Sequence, residues 1–188
     1  MKVLLLDNYD SFTYNIAQLL AESQLCDFDI VKNDSIILEK CEKYDKILLS
    51  PGAGIPSEAG MMMQVIEKYH KTKSIFGICL GMQAIAEFFG GKIYNLQKVY
   101  HGKKTEITIK KSESIFNKLP EKINVGLYHS WAVEQKNLPE NLKITSKSEK
   151  NIIMSLSHII YNVKGVQFHP ESYMTPSGEI IINNWLQN

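Results

Sequence analysis

Through the first ninety residues, short apolar runs alternate with stretches whose apolar positions recur every three or four residues. Lys2–Asp7 (KVLLLD) is nearly continuous in apolar character, as a strand covered on both faces requires. Phe12, Ile16, Leu19 and Leu20 then fall at i, i+4, i+7 and i+8, one face of a helix. Phe28–Val31 predicts a second strand and Ile36–Cys41 a short second helix. Lys46–Ser50 (KILLS) predicts a third strand, halted by Pro51-Gly52-Ala53-Gly54. A helix follows over Glu58–Tyr69, then a fourth strand at Ser74–Ile78 (SIFGI) and a helix over Leu80–Phe89 that Gly90-Gly91 stops. Four strand-then-helix units predict an α/β fold with a parallel central sheet and helices on both faces, because parallel neighbours need crossover connections.

The second half has a different pattern. Lys98–Ile109, Val125–Val133, Leu142–Ser148 and Ile152–Ile160 are β-branched and aromatic segments separated by turn residues. They predict mostly antiparallel strands that complete the sheet or form a subsidiary one. Val163–Phe168 (VKGVQF) reads as another buried strand, and Ser177–Leu186 sets Ile181, Trp185 and Leu186 on one helical face.

Composition narrows the function classes. The 188 residues predict one domain spanning 1–188, and a net charge of +1 argues against broad attraction to nucleic acid or anionic membrane. Neither a membrane span nor a signal peptide is expected, so the protein is placed in the cytoplasm. Cys26, Cys41 and Cys79 are an odd number without a C-x-x-C pair, which excludes a disulfide scaffold and a cysteine zinc cluster.

Cys79 stands apart from the other two. Gly77-Ile78-Cys79-Leu80-Gly81 lies where the fourth strand meets its helix, the layout of a nucleophile elbow with Cys in place of Ser. Such a turn lifts the sulfur to the carboxyl edge of the sheet and sets it at a helix N-terminus, which favours thiolate. The competing reading is a small buried hydrophobe, the one assigned to Cys26 and Cys41. A thiol nucleophile needs a base and a group to orient it. Of His70, His101, His129, His158 and His169, His169 ends a buried strand with a carboxylate two residues on, Glu171, across the rigid Pro170; taken alone, the stretch reads equally as a surface turn at the strand's end. His70 is expected in solvent. Ser50-Pro51-Gly52-Ala53-Gly54 could aim backbone N–H groups at an oxyanion, or be an ordinary turn.

In this order, loop, Cys, His and Glu resemble a glutamine amidotransferase of the triad type (class I). The resemblance runs from Leu5 to about Leu186. Asp7-Asn8-Tyr9-Asp10-Ser11-Phe12-Thr13-Tyr14-Asn15, His101-Gly102-Lys103, Tyr128-His129-Ser130, Gly165–Ser172 and Thr175-x-x-Gly178 are similar to one branch, the glutaminase subunits of anthranilate synthase and aminodeoxychorismate synthase. The resemblance implies a flavodoxin-like three-layer fold, mostly parallel, with extra antiparallel strands in the C-terminal half. It implies Cys79 as nucleophile, His169 as acid and base, Glu171 as its orienter, and Gly54 and Leu80 as backbone oxyanion donors. Glutamine contacts would come from Gly52, Ala53, Gly54, Gln83, Ser130 and Trp131. The implied partner is a separate chorismate-binding synthase subunit that receives the ammonia, with no metal or cofactor. Three positions depart from the family: Ala53 for Pro, Met82 for His, and Leu127 for the Arg before Tyr-His-Ser. A stand-alone thiol hydrolase and a catalytically silent binding module are the competing classes. Met61-Met62-Met63 reads as gap-filling at a helix start, with an adaptable partner surface second.

Overall fold

The computed structural model describes residues 1–97 and 99–188. In chain order its elements are β1 (Lys2–Asn8), α1 (Thr13–Ser23), β2 (Asp27–Lys32), β3 (Lys46–Gly52), α2 (Met62–Tyr69), β4 (Ser74–Ile78) and α3 (Leu80–Phe88). There follow β5 (Ile93–Asn95), β6 (Lys103–Ile109), β7 (Lys122–Leu127), β8 (Trp131–Val133), β9 (Leu142–Ser148), β10 (Ile153–His158), β11 (Val163–Val166) and α4 (Gly178–Gln187). Nine strands form one sheet in the order β2-β1-β3-β4-β11-β10-β9-β6-β7. Neighbours from β2 to β11 run parallel. From β11 to β7 every pairing is antiparallel. A separate ribbon pairs β5 with β8. The late strands therefore do both things the sequence allows: they extend the main sheet and add a subsidiary one.

Alternation along the parallel strands divides the core in two. Val3, Leu5, Leu48, Phe76 and Ile78 face α1 and α4, where Ile16, Leu20, Ile181 and Trp185 meet them. Leu4, Leu6, Ile47, Leu49 and Ile75 face α2 and α3, through Val65, Ile66 and Ile85. Both faces of these strands are covered, which is why their sequences read as continuous apolar runs. Trp185 stacks on Phe76 with ring centroids 5.5 Å apart, and its indole N–H donates to Ser74 Oγ at 3.0 Å.

Several element boundaries differ from expectation, each for a local reason. The helix expected over Glu58–Tyr69 is a 3₁₀ turn at Pro56–Glu58 and then α2, broken where Gly60 adopts φ +52° against the Asn33 backbone. The second helix is a 3₁₀ turn at Leu38–Lys43, too short a segment to propagate an α-helix. Pro51 and Gly52 do not halt β3, because Gly52 still pairs with Asn8 after a register shift. Val125–Val133 splits into β7 and β8 around Tyr128-His129-Ser130. Of the strand expected from Lys98, the first residue lies outside those described, and the strand begins at Lys103. His70 is buried rather than solvated, packed edge-on against Phe89 and Tyr161.

Candidate active site

The elbow is the sharpest feature of the backbone. β4 ends at Ile78, α3 starts at Leu80, and Cys79 between them has φ +51° and ψ −102°, a conformation that costs an L-residue strain. Its neighbours explain how the turn is held. A Cβ on Gly77 would overlap the Gly81 backbone, and one on Gly81 would lie 2.6 Å from the Leu49 carbonyl oxygen. Glycines are therefore required at both places. The Cys79 N–H donates to the Val166 carbonyl at 2.7 Å and its own carbonyl accepts from the Gln83 N–H at 3.1 Å, tying the turn to β11 and to the first turn of α3.

β11 is parallel to β4, so its exit delivers the histidine to the same sheet edge. Nδ1 of His169 lies 2.6 Å from Glu171 Oε1. With the carboxylate accepting, Nδ1 carries a proton in either charge state, which leaves Nε2 as the nitrogen that can gain or lose one; among the described residues Nε2 has no hydrogen-bond partner. His169 is 2% exposed. Burial works against its charged form, yet the Glu171 carboxylate and the nearby Cys79 thiol outweigh that and hold its pKa well above the ordinary histidine value. The ring is held edge-on by Phe12, centroids 5.2 Å apart, and by Tyr128 at 4.9 Å. Its turn is closed by Thr175, whose hydroxyl donates to the His169 carbonyl at 2.6 Å and accepts from the Gly126 N–H at 2.9 Å. Gly178 packs so closely on the Pro170 carbonyl that any Cβ would overlap it. The Thr175-x-x-Gly178 motif is thus the clamp on the His-Pro-Glu turn.

The glycine loop completes the site. Gly52 lies flat against α3, where a Cβ would come within 2.7 Å of Leu80 Cδ2 and 2.8 Å of Asn8 Cβ. Asn8 fixes it from below: its N–H donates to Ser50 Oγ and its side-chain amide to the Ser50 carbonyl, both at 2.8 Å. Met62 fills the space behind, its sulfur accepting from the same amide at 3.4 Å. Gly54 turns at φ +76°. Among the described residues the N–H groups of Ala53 and Gly54 reach no acceptor, and the Leu80 N–H, in the first turn of α3, has no intrahelical one.

Residues 52–54, Cys79, Gln83 and 128–131 enclose one pocket of about 140 Å³. Every residue expected to contact glutamine is on its wall, and so is the thiol. A roomier depression of about 390 Å³ between β6 and β9, lined by Thr108, Lys110, Ile144, Ser146 and Lys147, has no cysteine, histidine or carboxylate on its wall; chemistry rather than volume picks the site. His129 also lines the pocket, but its Nδ1–H donates to the Trp131 carbonyl at 2.7 Å. Burial lowers its pKa to about 4, with the His169 charge acting in the same direction, so it stays neutral. Gln83 donates through Nε2 to the Trp131 carbonyl at 3.0 Å and to Gln167 Oε1 at 3.1 Å. Gln167, wholly buried, donates in turn to Cys79 Sγ at 3.4 Å. Sequence reasoning does not single out Gln167, although an amide between Val166 and Phe168 in the buried run Val163–Phe168 is a signal of it. Of the departures, Met82 is buried over Gly165, and Leu127 is buried on β7 facing the core.

The family model for glutamine amidotransferase class-I matches residues 4–188. The chain belongs to that family. It is 41% identical over 186 residues to the aminodeoxychorismate synthase component 2 of Escherichia coli, covering 98% of each chain. It is 39% identical over 189 residues to the anthranilate synthase component 2 of Porphyra purpurea, covering 99% of each. Among solved structures, a Thermoplasma acidophilum protein described as a candidate GMP synthase subunit superposes with a TM-score of 0.89 at 29% identity, covering 100% of this chain and 92% of that one. Among the described residues no helix is long and apolar enough to cross a membrane.

Gly178→Ala tests the clamp on the amidotransferase's His-Pro-Glu turn. The overlap with Pro170 should cost about 2 kcal/mol, roughly 4–8 °C in Tm for a chain of this size. Glutaminase turnover should fall further than stability accounts for, since Pro170 joins His169 to Glu171. Thermal melts alongside turnover at a temperature where the variant is folded decide it; an unchanged Tm contradicts the packing argument.

Proposed function

We propose that the chain is a glutaminase that hydrolyses L-glutamine through Cys79, His169 and Glu171 and passes the ammonia to a chorismate-binding synthase subunit in a hetero-oligomer. The observation that carries this is the 2.6 Å His169–Glu171 pair beside a thiol on a strained elbow, opening into a pocket lined with unengaged backbone N–H groups. His169 Nε2 takes and holds the Cys79 proton, the thiolate attacks the carboxamide carbon, and the N–H groups of Gly54 and Leu80 meet the oxygen as it becomes negative. The C–N bond then breaks, with the imidazolium proton going to the leaving ammonia. Water, deprotonated by the same Nε2, attacks the γ-glutamyl thioester; the C–S bond breaks, glutamate leaves, and the thiolate is regenerated.

Residues 1–188 act in this reading as one glutaminase unit working in the cytoplasm. The names of the relatives support a chorismate-aminating partner. Identities of 41% and 39% to components of two different synthases weigh equally, so the acceptor subunit fixes which aminated product forms.

Cys79→Ser should abolish glutamine hydrolysis, by several orders of magnitude in kcat, and leave Tm nearly unchanged. A glutamine-analogue alkylator should label Cys79 and spare Cys26 and Cys41, read by mass spectrometry of the modified peptide. Full activity in a folded Cys79→Ser protein overturns the assignment.

Glu171→Gln should retain more activity than His169→Ala. A glutamine carbonyl at position 171 can still accept from Nδ1–H, so the variant loses the charge but keeps the ring oriented. Steady-state kcat for the two variants is the measurement, and a larger loss at Glu171 reverses the roles.

For the partner, a chorismate-binding synthase alone should make product with high ammonium salt and fail with glutamine. Adding this chain should restore glutamine use. If the synthase uses glutamine equally well without it, the pairing is wrong while the glutaminase chemistry stands.

A further inference from the structure

Of the buried polar side chains around the thiol that have no part in the mechanism above, one donates to the sulfur itself. Gln167 follows β11, its N–H held by the Met154 carbonyl at 2.8 Å, and its side chain turns toward Cys79 with no exposed surface. A fully buried amide in an apolar strand run is costly unless each of its polar atoms is engaged. Both ends of this one are: Nε2 donates to Cys79 Sγ at 3.4 Å and Oε1 accepts from Gln83 Nε2 at 3.1 Å.

The direction of these bonds is fixed by chemistry rather than by the choice of amide orientation. Gln83 Nε2 also lies 3.0 Å from the Trp131 carbonyl, which can only accept, so that atom must be the donor. The same nitrogen faces Gln167, so the Gln167 atom meeting it must be the oxygen. The nitrogen of Gln167 is thereby turned to the sulfur. The Trp131 carbonyl at the start of β8 thus sets the polarity of a two-amide relay that ends on the Cys79 sulfur.

We propose that Gln167 is a further catalytic residue, whose side-chain N–H stabilises negative charge on Cys79 sulfur before attack and again as sulfur leaves the thioester. This rests on Cys79 being the nucleophile. A hydrogen bond from a fixed, water-excluded donor is stronger to thiolate than to thiol or to the neutral thioester sulfur, so it favours both charged states of sulfur on the reaction path. The α3 N-terminus acts in the same sense along the axis, and the imidazolium of His169 supplies the counter-charge. Gln167 occupies the direction from which the substrate need not approach, leaving the pocket side of the sulfur open. Gln83 is then a positioning residue for Gln167, a role beside the glutamine contact expected of it.

The test is the pH dependence of Cys79 alkylation by iodoacetamide, followed on the Cys79 peptide so that Cys26 and Cys41 do not contribute. Gln167→Met keeps the bulk and removes the donor; Gln167→Glu keeps the shape and offers an acceptor or a charge. The midpoint should rise by about one pH unit in Gln167→Met, with a loss of about tenfold in neutral-pH reactivity and in kcat/KM that higher pH recovers. It should rise further in Gln167→Glu. Gln83→Met, which releases Gln167 from its anchor, should shift the midpoint the same way by less. A packing role alone lowers activity or Tm without ordering the midpoints in this series. Unchanged midpoints in folded Gln167→Met and Gln167→Glu overturn the proposal. Glutaminase activity surviving in Cys79→Ser would overturn the nucleophile assignment itself, a separate result.

Discussion

The parallel pairing of β4 with β11 is the constraint on which the rest of the site depends. These strands come from positions about ninety residues apart, and their register, Val163 with Ile75 through Val166 with Ile78, sets the two strand ends level. One residue past β4 is Cys79; three past β11 is His169. The Cys79 N–H to Val166 carbonyl bond, 2.7 Å, is the last rung of that ladder and the one that spans the strained elbow. A slip of one residue would send alternate side chains to the opposite face, moving Gln167 off the sulfur along with the rest of the pattern. The strain at Cys79 persists because the sheet on one side and the close-packed Gly77–Gly81 contact on the other leave the backbone no alternative.

What surrounds this pairing is mostly arranged to keep the second strand's exit rigid. Phe12 and Tyr128 hold the imidazole plane from two elements, and Thr175 and Gly178 close the turn behind it. This explains why the Asp7–Asn15 segment, which holds no catalytic group, is bound up with the site: Asn8 braces the glycine loop and Phe12 braces the histidine. The Asp7 carboxylate, accepting from the Tyr9 N–H at 2.9 Å and the Thr13 hydroxyl at 2.7 Å, shapes the turn that puts both there. The segment is a scaffold for two walls of the site at once.

The parallel half of the fold is legible because burial on both faces writes itself into sequence as uninterrupted apolar runs, and Ser74–Ile78 matches the expected strand to the residue. The elbow and the His-Pro-Glu pair are legible for a related reason: each depends on residues adjacent in sequence. The boundaries that differ depend on contacts distant in sequence. Gly60 breaks the expected helix because it packs on Asn33, and the split of Val125–Val133 follows from Tyr128 turning toward His169 while His129 turns into the pocket. His70 looks solvated at the end of a polar helix, and only the arrival of Tyr161 beside Phe88 and Phe89 buries it. Gln167 escapes notice in the sequence because its partners, Gln83 and Cys79, are more than eighty residues away.

Two histidines lie near the thiol, and the fold drives them in opposite directions. His129 and His169 are both buried, so desolvation alone would keep each neutral. The difference is what Nδ1 meets: a peptide carbonyl for His129, a carboxylate for His169. A carbonyl orients the ring and fixes the tautomer but adds no net charge, so burial prevails and the ring is uncharged at any physiological pH. A carboxylate does the same and also supplies the negative charge that makes an imidazolium tolerable in a dry site. The repulsion between the two rings then reinforces the separation, because a charged His169 disfavours a second charge at His129. In the proposed mechanism His169 can therefore hold and return a proton, while His129 is a neutral part of the pocket wall. This asymmetry supports the proposed base role of His169 on physical grounds separate from resemblance to any other protein.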